Sequence, residues 1–112
     1  MRKDDSVYLG HILDLAEKIR LRLVGTDRDQ FDADEDLRIV LAHLIQNIGE
    51  AARCVSRALQ VRHPEIPWND MIGMPHRIVH DYIDIDYDIV WDVASFELPH
   101  LVERIRPLVG SA

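Results

Sequence analysis

"LAHLIQNIGEAARCV", residues 41–55, is the stretch on which the fold turns. Leu41, Leu44, Ile45, Ile48, Ala52 and Val55 recur at three- and four-residue spacing, which places them on one face of an α-helix. The stripe extends back to Leu37 and forward to Leu59, so the spacing predicts one long, unbroken helix. Asp32 or Asp34 is placed to cap its start. "HPEIPW" at 63–68 ends it, because the residue before a proline is driven out of helical space. Gly49 stands inside this helix, where glycine costs ~1 kcal/mol relative to alanine. Close approach of another helix accounts for it. Glu50 beside it has two readings: a solvated helix residue, or a carboxylate facing the same crossing and holding Arg77 or a histidine.

Upstream, Leu9, Ile12, Leu13, Ala16, Ile19 and Leu23 form a second helical stripe that Gly25 stops. Thr26 is read as the cap of "TDRDQF", with Asp29 three residues on. Downstream, "WNDMIG" at 68–73 reads as a short helical turn closed by Gly73. "PHRIVHDY" at 75–82 reads as another, with Pro75 in its first turn, where a missing N–H costs nothing. "YIDIDYDIVWD" at 82–92 alternates as a strand would. A lone strand has no partner in a helical chain, so it is read as a loop and then a helix from about Asp86. "LPHLVERIRPLV" at 98–109 is a final amphipathic helix begun by Pro99 and loosened at Pro107. The fold class is all-α: an up-and-down bundle of four main helices with short extra turns.

The chain of 112 residues suits a single domain spanning residues 1–112, and its 47% hydrophobic and 29% charged residues suit a soluble one. A net charge of −7 opposes broad attraction to nucleic acid or anionic membrane, so RNA contact requires a local basic patch. The single cysteine, Cys54, excludes an internal disulfide and fits a reducing compartment. No stretch is apolar for the roughly 18 residues of a membrane span, and "MRKDDSVYLGH" lacks the apolar centre of a signal peptide. A cytoplasmic protein with no membrane partner is expected. Leu21, Val24, Val40, Val61, Trp68 and Trp91 fall partly off the stripes. They are either scattered surface residues of a generous core or a face for a second copy against the long helix.

His76 and His80 are four apart, so on one helix both rings share a face, with Asp84 a turn further on. "HRIVH" lacks the glutamate of the zincin pattern and no cysteine joins it, so no metal is expected. Asp84, Asp86 and Asp88 resemble the start of a calcium loop, but Ile89 takes the glycine position and the closing glutamate is missing. His80 is then either a hydrogen-bonded structural residue or an imidazole suited to proton transfer, with Arg77 or His76 stabilising a phosphate. Metal-free RNA cleavage needs a base for the 2′-hydroxyl, an acid for the leaving oxygen and a cation on the phosphorane. Tyr82 lies near His80 in this reading, as a hydrogen-bond donor or a modification site.

"LIQNIGEAAR", "HPEIPWNDMIGM", "RIVHDYIDIDYDIVWDV" and "LPHLVERI" follow in the order and spacing of the HepT-like proteins of the HEPN superfamily. The resemblance covers residues 5–109. It implies a HEPN-type bundle, the toxin half of a toxin–antitoxin pair, and a cofactor-free, metal-independent ribonuclease. It further implies a homodimer in which the motif arginine and histidine of both subunits line a shared cleft. The implied partner is a nucleotidyltransferase-fold antitoxin that silences the toxin by transferring AMP to the motif tyrosine. The family motif is an arginine, four residues, a histidine, one residue and a tyrosine. His80 and Tyr82 match the last two positions; the arginine position holds Pro75, followed by His76. Arg77 lies about 200° around an ideal helix from that position. The resemblance thus implies His80, with His76 and Arg77 as substitute phosphate contacts, for catalysis and Tyr82 as AMP acceptor. The departure at Pro75 equally admits a catalytically degenerate HEPN dimer that binds a nucleotidyltransferase or a nucleotide.

Overall fold

The apolar stripe from Leu37 to Leu59 folds as two helices, α3 (Glu35–Cys54) and α4 (Arg57–Arg62), broken at Val55–Ser56. The cause lies in α1 (Lys3–Leu23). There the Asp5 carboxylate, 2% exposed, accepts from the Ser56 N–H at 2.8 Å and from its hydroxyl at 2.7 Å. The Ser56 hydroxyl oxygen in turn accepts from the Leu59 N–H and caps α4. Hydrogen bonds to a charged acceptor contribute about 1.5–3 kcal/mol, more than the roughly 0.5–1.5 kcal/mol of an ordinary backbone bond, so the break outcompetes a continued helix. Periodicity cannot reveal a partner this far away in the chain.

The computed structural model describes residues 3–81 and 84–110. Gly25, at φ 76°, ends the first helical run as expected. The next cap is Asp27 rather than Thr26: its side chain accepts from the Gln30 N–H while the Gln30 side chain accepts from the Asp27 N–H, starting α2 (Arg28–Ala33). Asp34 caps α3 by accepting from the Leu37 N–H at 3.0 Å. Beyond α4 come α5 (Trp68–Ile72) and α6 (Met74–Ile78), separated by Gly73. The alternating stretch supplies one short strand, β2 (Asp84–Ile85), which pairs antiparallel with β1 (Val79–Asp81) just before the stretch, so a strand there does find a partner.

Asp86 then caps α7 (Tyr87–Asp92), which continues through a π-helical segment (Val93–Glu97) into α8 (Leu98–Gly110). The two helices expected here are joined into one rod, and Pro99 does not begin the second. The Leu98 N–H bonds the Val93 carbonyl, a π turn immediately before a residue that has no N–H to give the α ladder. Pro107 lies inside α8 without ending it.

α1 packs along α3 and against α8, while α5 and α6 lie on α3. Leu9, Ile12 and Ile19 meet Leu41, Ile45, Ile48 and Ile105 in the core. Among the described residues the fold is all-α but for the short ribbon. Leu21, Val24, Val40 and Val61 are exposed, as their off-stripe positions suggested. The tryptophans are not: Trp68 is buried and Trp91 packs on Phe31, with ring centroids 5.1 Å apart. Among the described residues no helix is long and apolar enough to cross a membrane.

Gly49 carries the close crossing its position suggested. An added Cβ would stand 2.6 Å from Cδ and 2.8 Å from Cγ of Pro75, and 3.2 Å from the Met71 carbonyl oxygen. A proline ring is part of the backbone and cannot swing aside. Gly10 in α1 has nothing within 4 Å of the corresponding point. Gly10→Ala should therefore stabilise the protein by roughly 0.5–1 kcal/mol through helix propensity. Gly49→Ala should destabilise it by about 1–2 kcal/mol, since overpacking outweighs the same propensity gain. Urea unfolding of both variants checks this, and an equal gain at the two sites would remove the crossing as an explanation for Gly49.

Candidate functional site

Pro75 seats α6 against α3. Met74 and Ile78 point into the core, leaving His76 and Arg77 exposed on the outer side. The helix lasts five residues, because Val79 already has extended backbone (φ −113°, ψ 112°) and opens β1. His76 and His80 therefore do not share a helical face, and Asp84 is on β2 rather than one turn on. Among the described residues no group of three histidine, cysteine or carboxylate side chains is arranged to hold a metal ion.

His80 lies where the ribbon's register slips, between the pairs Val79–Ile85 and Asp81–Asp84. Such irregularities re-aim a side chain out of the ladder. The ribbon is closed by the Asp86 N–H, which donates to the Ile78 carbonyl at 2.7 Å. This brings the Asp86 carboxylate to His80: Oδ2 is 3.2 Å from Nε2, while Oδ1 accepts from the Ile89 N–H at 3.1 Å. The imidazole is 56% exposed and the carboxylate 25%. The Ile89 N–H first, and His80 second, hold the Asp86 carboxyl below its ordinary range. The result is an accessible imidazole whose partner is fixed at the start of a helix.

Arg77 is engaged elsewhere. Its guanidinium makes two bonds, 2.8 and 3.0 Å long, to the carboxylate of Glu97 in the π-helical segment. Those bonds raise its already high pKa further. Glu50 does not hold Arg77 or a histidine; it is exposed and pairs with Arg53 one turn along α3. Among the described residues no hydrogen bond or ion pair joins His80 to His76 or Arg77. Tyr82 lies outside the described residues.

Two partners were missed in the sequence. Asp86 was legible as a helix start, but its contact with His80 depends on the ribbon that brings residues 80 and 86 together. Glu97 gave no local signal, since its role requires the π-helical rod to pass beside α6.

The all-α bundle is of the HEPN type. Within it, the chain belongs to the Ribonuclease HepT-like family, whose model matches residues 12–108. A protein of Caldanaerobacter subterraneus named "Putative RNase" is 28% identical, with 91% of each chain covered. A Methanocaldococcus jannaschii protein named "Gamma-glutamylcyclotransferase and putative RNase" is 30% identical over 97% of this chain and 49% of its own length. A Thermococcus cleftensis protein named "Probable ribonuclease HepT" is 25% identical over 96% of this chain and 98% of its own. No solved structure matches.

Proposed function

We propose that the chain acts as one HepT-like domain, a metal-independent endoribonuclease toxin that works as a homodimer. The observation that carries this reading is the exposed His80 imidazole braced by a fixed carboxylate, in a member of a ribonuclease family. An imidazole so placed takes the proton of an RNA 2′-hydroxyl as that oxygen attacks the neighbouring phosphorus. His76 and Arg77 are the phosphate contacts this chain offers, and Arg77 serves once the phosphate displaces Glu97. The charge balance favours a two-subunit cleft. Asp81, Asp84, Asp86 and Asp88 follow His80 closely in its own chain, which is a poor local setting for a polyanion. Exposed Val7, Leu21, Val24, Ile39, Val61 and Phe96 offer apolar surface for a second copy.

A nucleotidyltransferase-fold antitoxin is the proposed partner, and Tyr82 the proposed AMP acceptor. An added phosphate two residues from His80 would bring bulk and negative charge to the imidazole. The second reading is a degenerate dimer that binds a nucleotidyltransferase or a nucleotide without cleaving RNA. One observation favours it: the motif's arginine position is a proline packed on Gly49, and the nearest arginine is already paired.

Purified, unmodified protein of dimer mass by light scattering should cleave single-stranded RNA in the presence of a chelator. His80→Ala should lower the rate by a hundredfold or more, the range for loss of a general base. No cleavage by the parent protein would decide for the second reading.

Pro75→Arg should raise the cleavage rate by up to about a hundredfold, the usual worth of one transition-state cation. A guanidinium supplies a forked, permanently charged donor that proline lacks. The cost in stability, from lost ring packing and a freer unfolded chain, should be about 1 kcal/mol. A folded Pro75→Arg dimer that cleaves no faster would show that the missing arginine does not limit the protein.

With its antitoxin, ATP and magnesium, the protein should gain AMP at Tyr82, seen as added nucleotide mass on the intact chain. Tyr82→Phe should gain none; AMP addition to that variant would move the acceptor to another residue, such as Tyr8 or Tyr87.

A further inference from the structure

Asp86 does two things with one carboxylate. Oδ1 takes the Ile89 N–H and caps α7; Oδ2 faces the Nε2 atom of His80 at 3.2 Å. Its backbone is fixed as well, by the bond from its N–H to the Ile78 carbonyl. The group is thus held at the cap and at the ribbon closure, and cannot follow the imidazole if the ring turns. A carboxylate is an acceptor without a proton of its own, and the low carboxyl pKa keeps it so at neutral pH. The nitrogen facing it must then supply the hydrogen. In neutral His80 that leaves the proton on Nε2 and a bare lone pair on Nδ1.

We propose that Asp86 is the positioning residue of the site, fixing the His80 tautomer and ring orientation so that Nδ1 is the atom that accepts a proton. The chemical consequence rests on the ribonuclease reading above. The 2′-O–H proton moves to Nδ1, the freed oxygen forms a bond to the adjacent phosphorus, and the P–O5′ bond breaks. The departing 5′-oxygen takes a proton from water, and the hydroxide so formed takes the Nδ1 proton, which restores neutral His80 and leaves a 2′,3′-cyclic phosphate and a 5′-hydroxyl. The imidazolium formed on the way has its positive charge facing the carboxylate that orients it. Arg28 of α2 pairs with Asp88 and Asp32 rather than with Asp86, and Arg38, whose guanidinium lies over the Tyr87 ring, bonds the Phe31 and Asp32 carbonyls. Asp86 is left to His80 and the cap.

Asp86→Asn separates the two jobs. The Asn oxygen can still accept from the Ile89 N–H, since asparagine caps helices as well as aspartate does. Its amide then turns an N–H toward Nε2, which reverses the tautomer and puts the proton on Nδ1. Ring-nitrogen NMR of histidine-labelled protein should show the Nε2–H form in the parent and the Nδ1–H form in Asp86→Asn. Asp86→Ser keeps a cap but cannot reach the ring, and should show a mixture of tautomers. In RNA cleavage, Asp86→Asn should lose a hundredfold or more in kcat with KM and Tm unchanged. A parent protein with Nδ1–H, or an Asn variant with an unchanged ring spectrum, would overturn the proposal. If the parent cleaves no RNA yet the spectra change as stated, Asp86 positions His80 and the ribonuclease reading is what fails.

Discussion

The crossing of α3 by α6 at Gly49 and Pro75 is the contact on which the arrangement of the site depends. A glycine removes the Cβ that would strike the ring, and the ring fills the notch that the glycine leaves. With α6 seated there, Met74 and Ile78 reach the core, and the chain leaves the helix at Val79. The ribbon then has one short course to the cap of α7, and His80 and Asp86 meet across it. Moving the crossing would move the histidine with it. Pro75 therefore has a structural task of its own, and in the proposed reading it stands where the family motif would carry a cation.

The electrostatics follow a related pattern. Arg20, Arg28, Arg53 and Arg77 each pair with a carboxylate of the same chain. The net charge of −7 adds an overall repulsion toward a polyanion. Each pair is exposed or half-exposed, however, and such pairs contribute about 0–1 kcal/mol. They mark where cations reside more than what they are committed to.

The helical stripes, the glycine stop at Gly25 and the cap at Asp34 were legible because each is a local pattern of residue types. The same holds for Gly49, whose cost in a helix interior signalled a neighbour before that neighbour was known. What was not legible depended on residues far apart in sequence. The break at Val55–Ser56 belongs to Asp5, and the ribbon at 79–85 needed a second strand that alternation alone did not supply. The π turn before Pro99 arises because two helices read as separate share one rod. The site divides the same way. His80 was found by residue type and spacing but assigned to a helix it does not occupy. Its partner Asp86 was visible solely as a cap. Glu50, adjacent to the crossing, turned out to face solvent, because the crossing is made by backbone and ring with no room for a carboxylate.

Arg77 brings these points together. Two bonds to Glu97 hold its guanidinium in line, and an arginine so held is charged at any pH at which the protein is folded. A phosphate competing for that fork would replace one anion by another of like geometry, at the cost of a half-exposed ion pair worth at most about 1 kcal/mol. A missing transition-state cation costs about 3 kcal/mol. By these magnitudes, exchanging Glu97 for phosphate is a far smaller obstacle than doing without a cation altogether. Direction is the harder constraint: Arg77 points toward the π-helical segment while His80 points toward the cap of α7. Within one subunit the two groups face different neighbours, and a phosphate touching both requires either a turn of the arginine or a cation from a second chain.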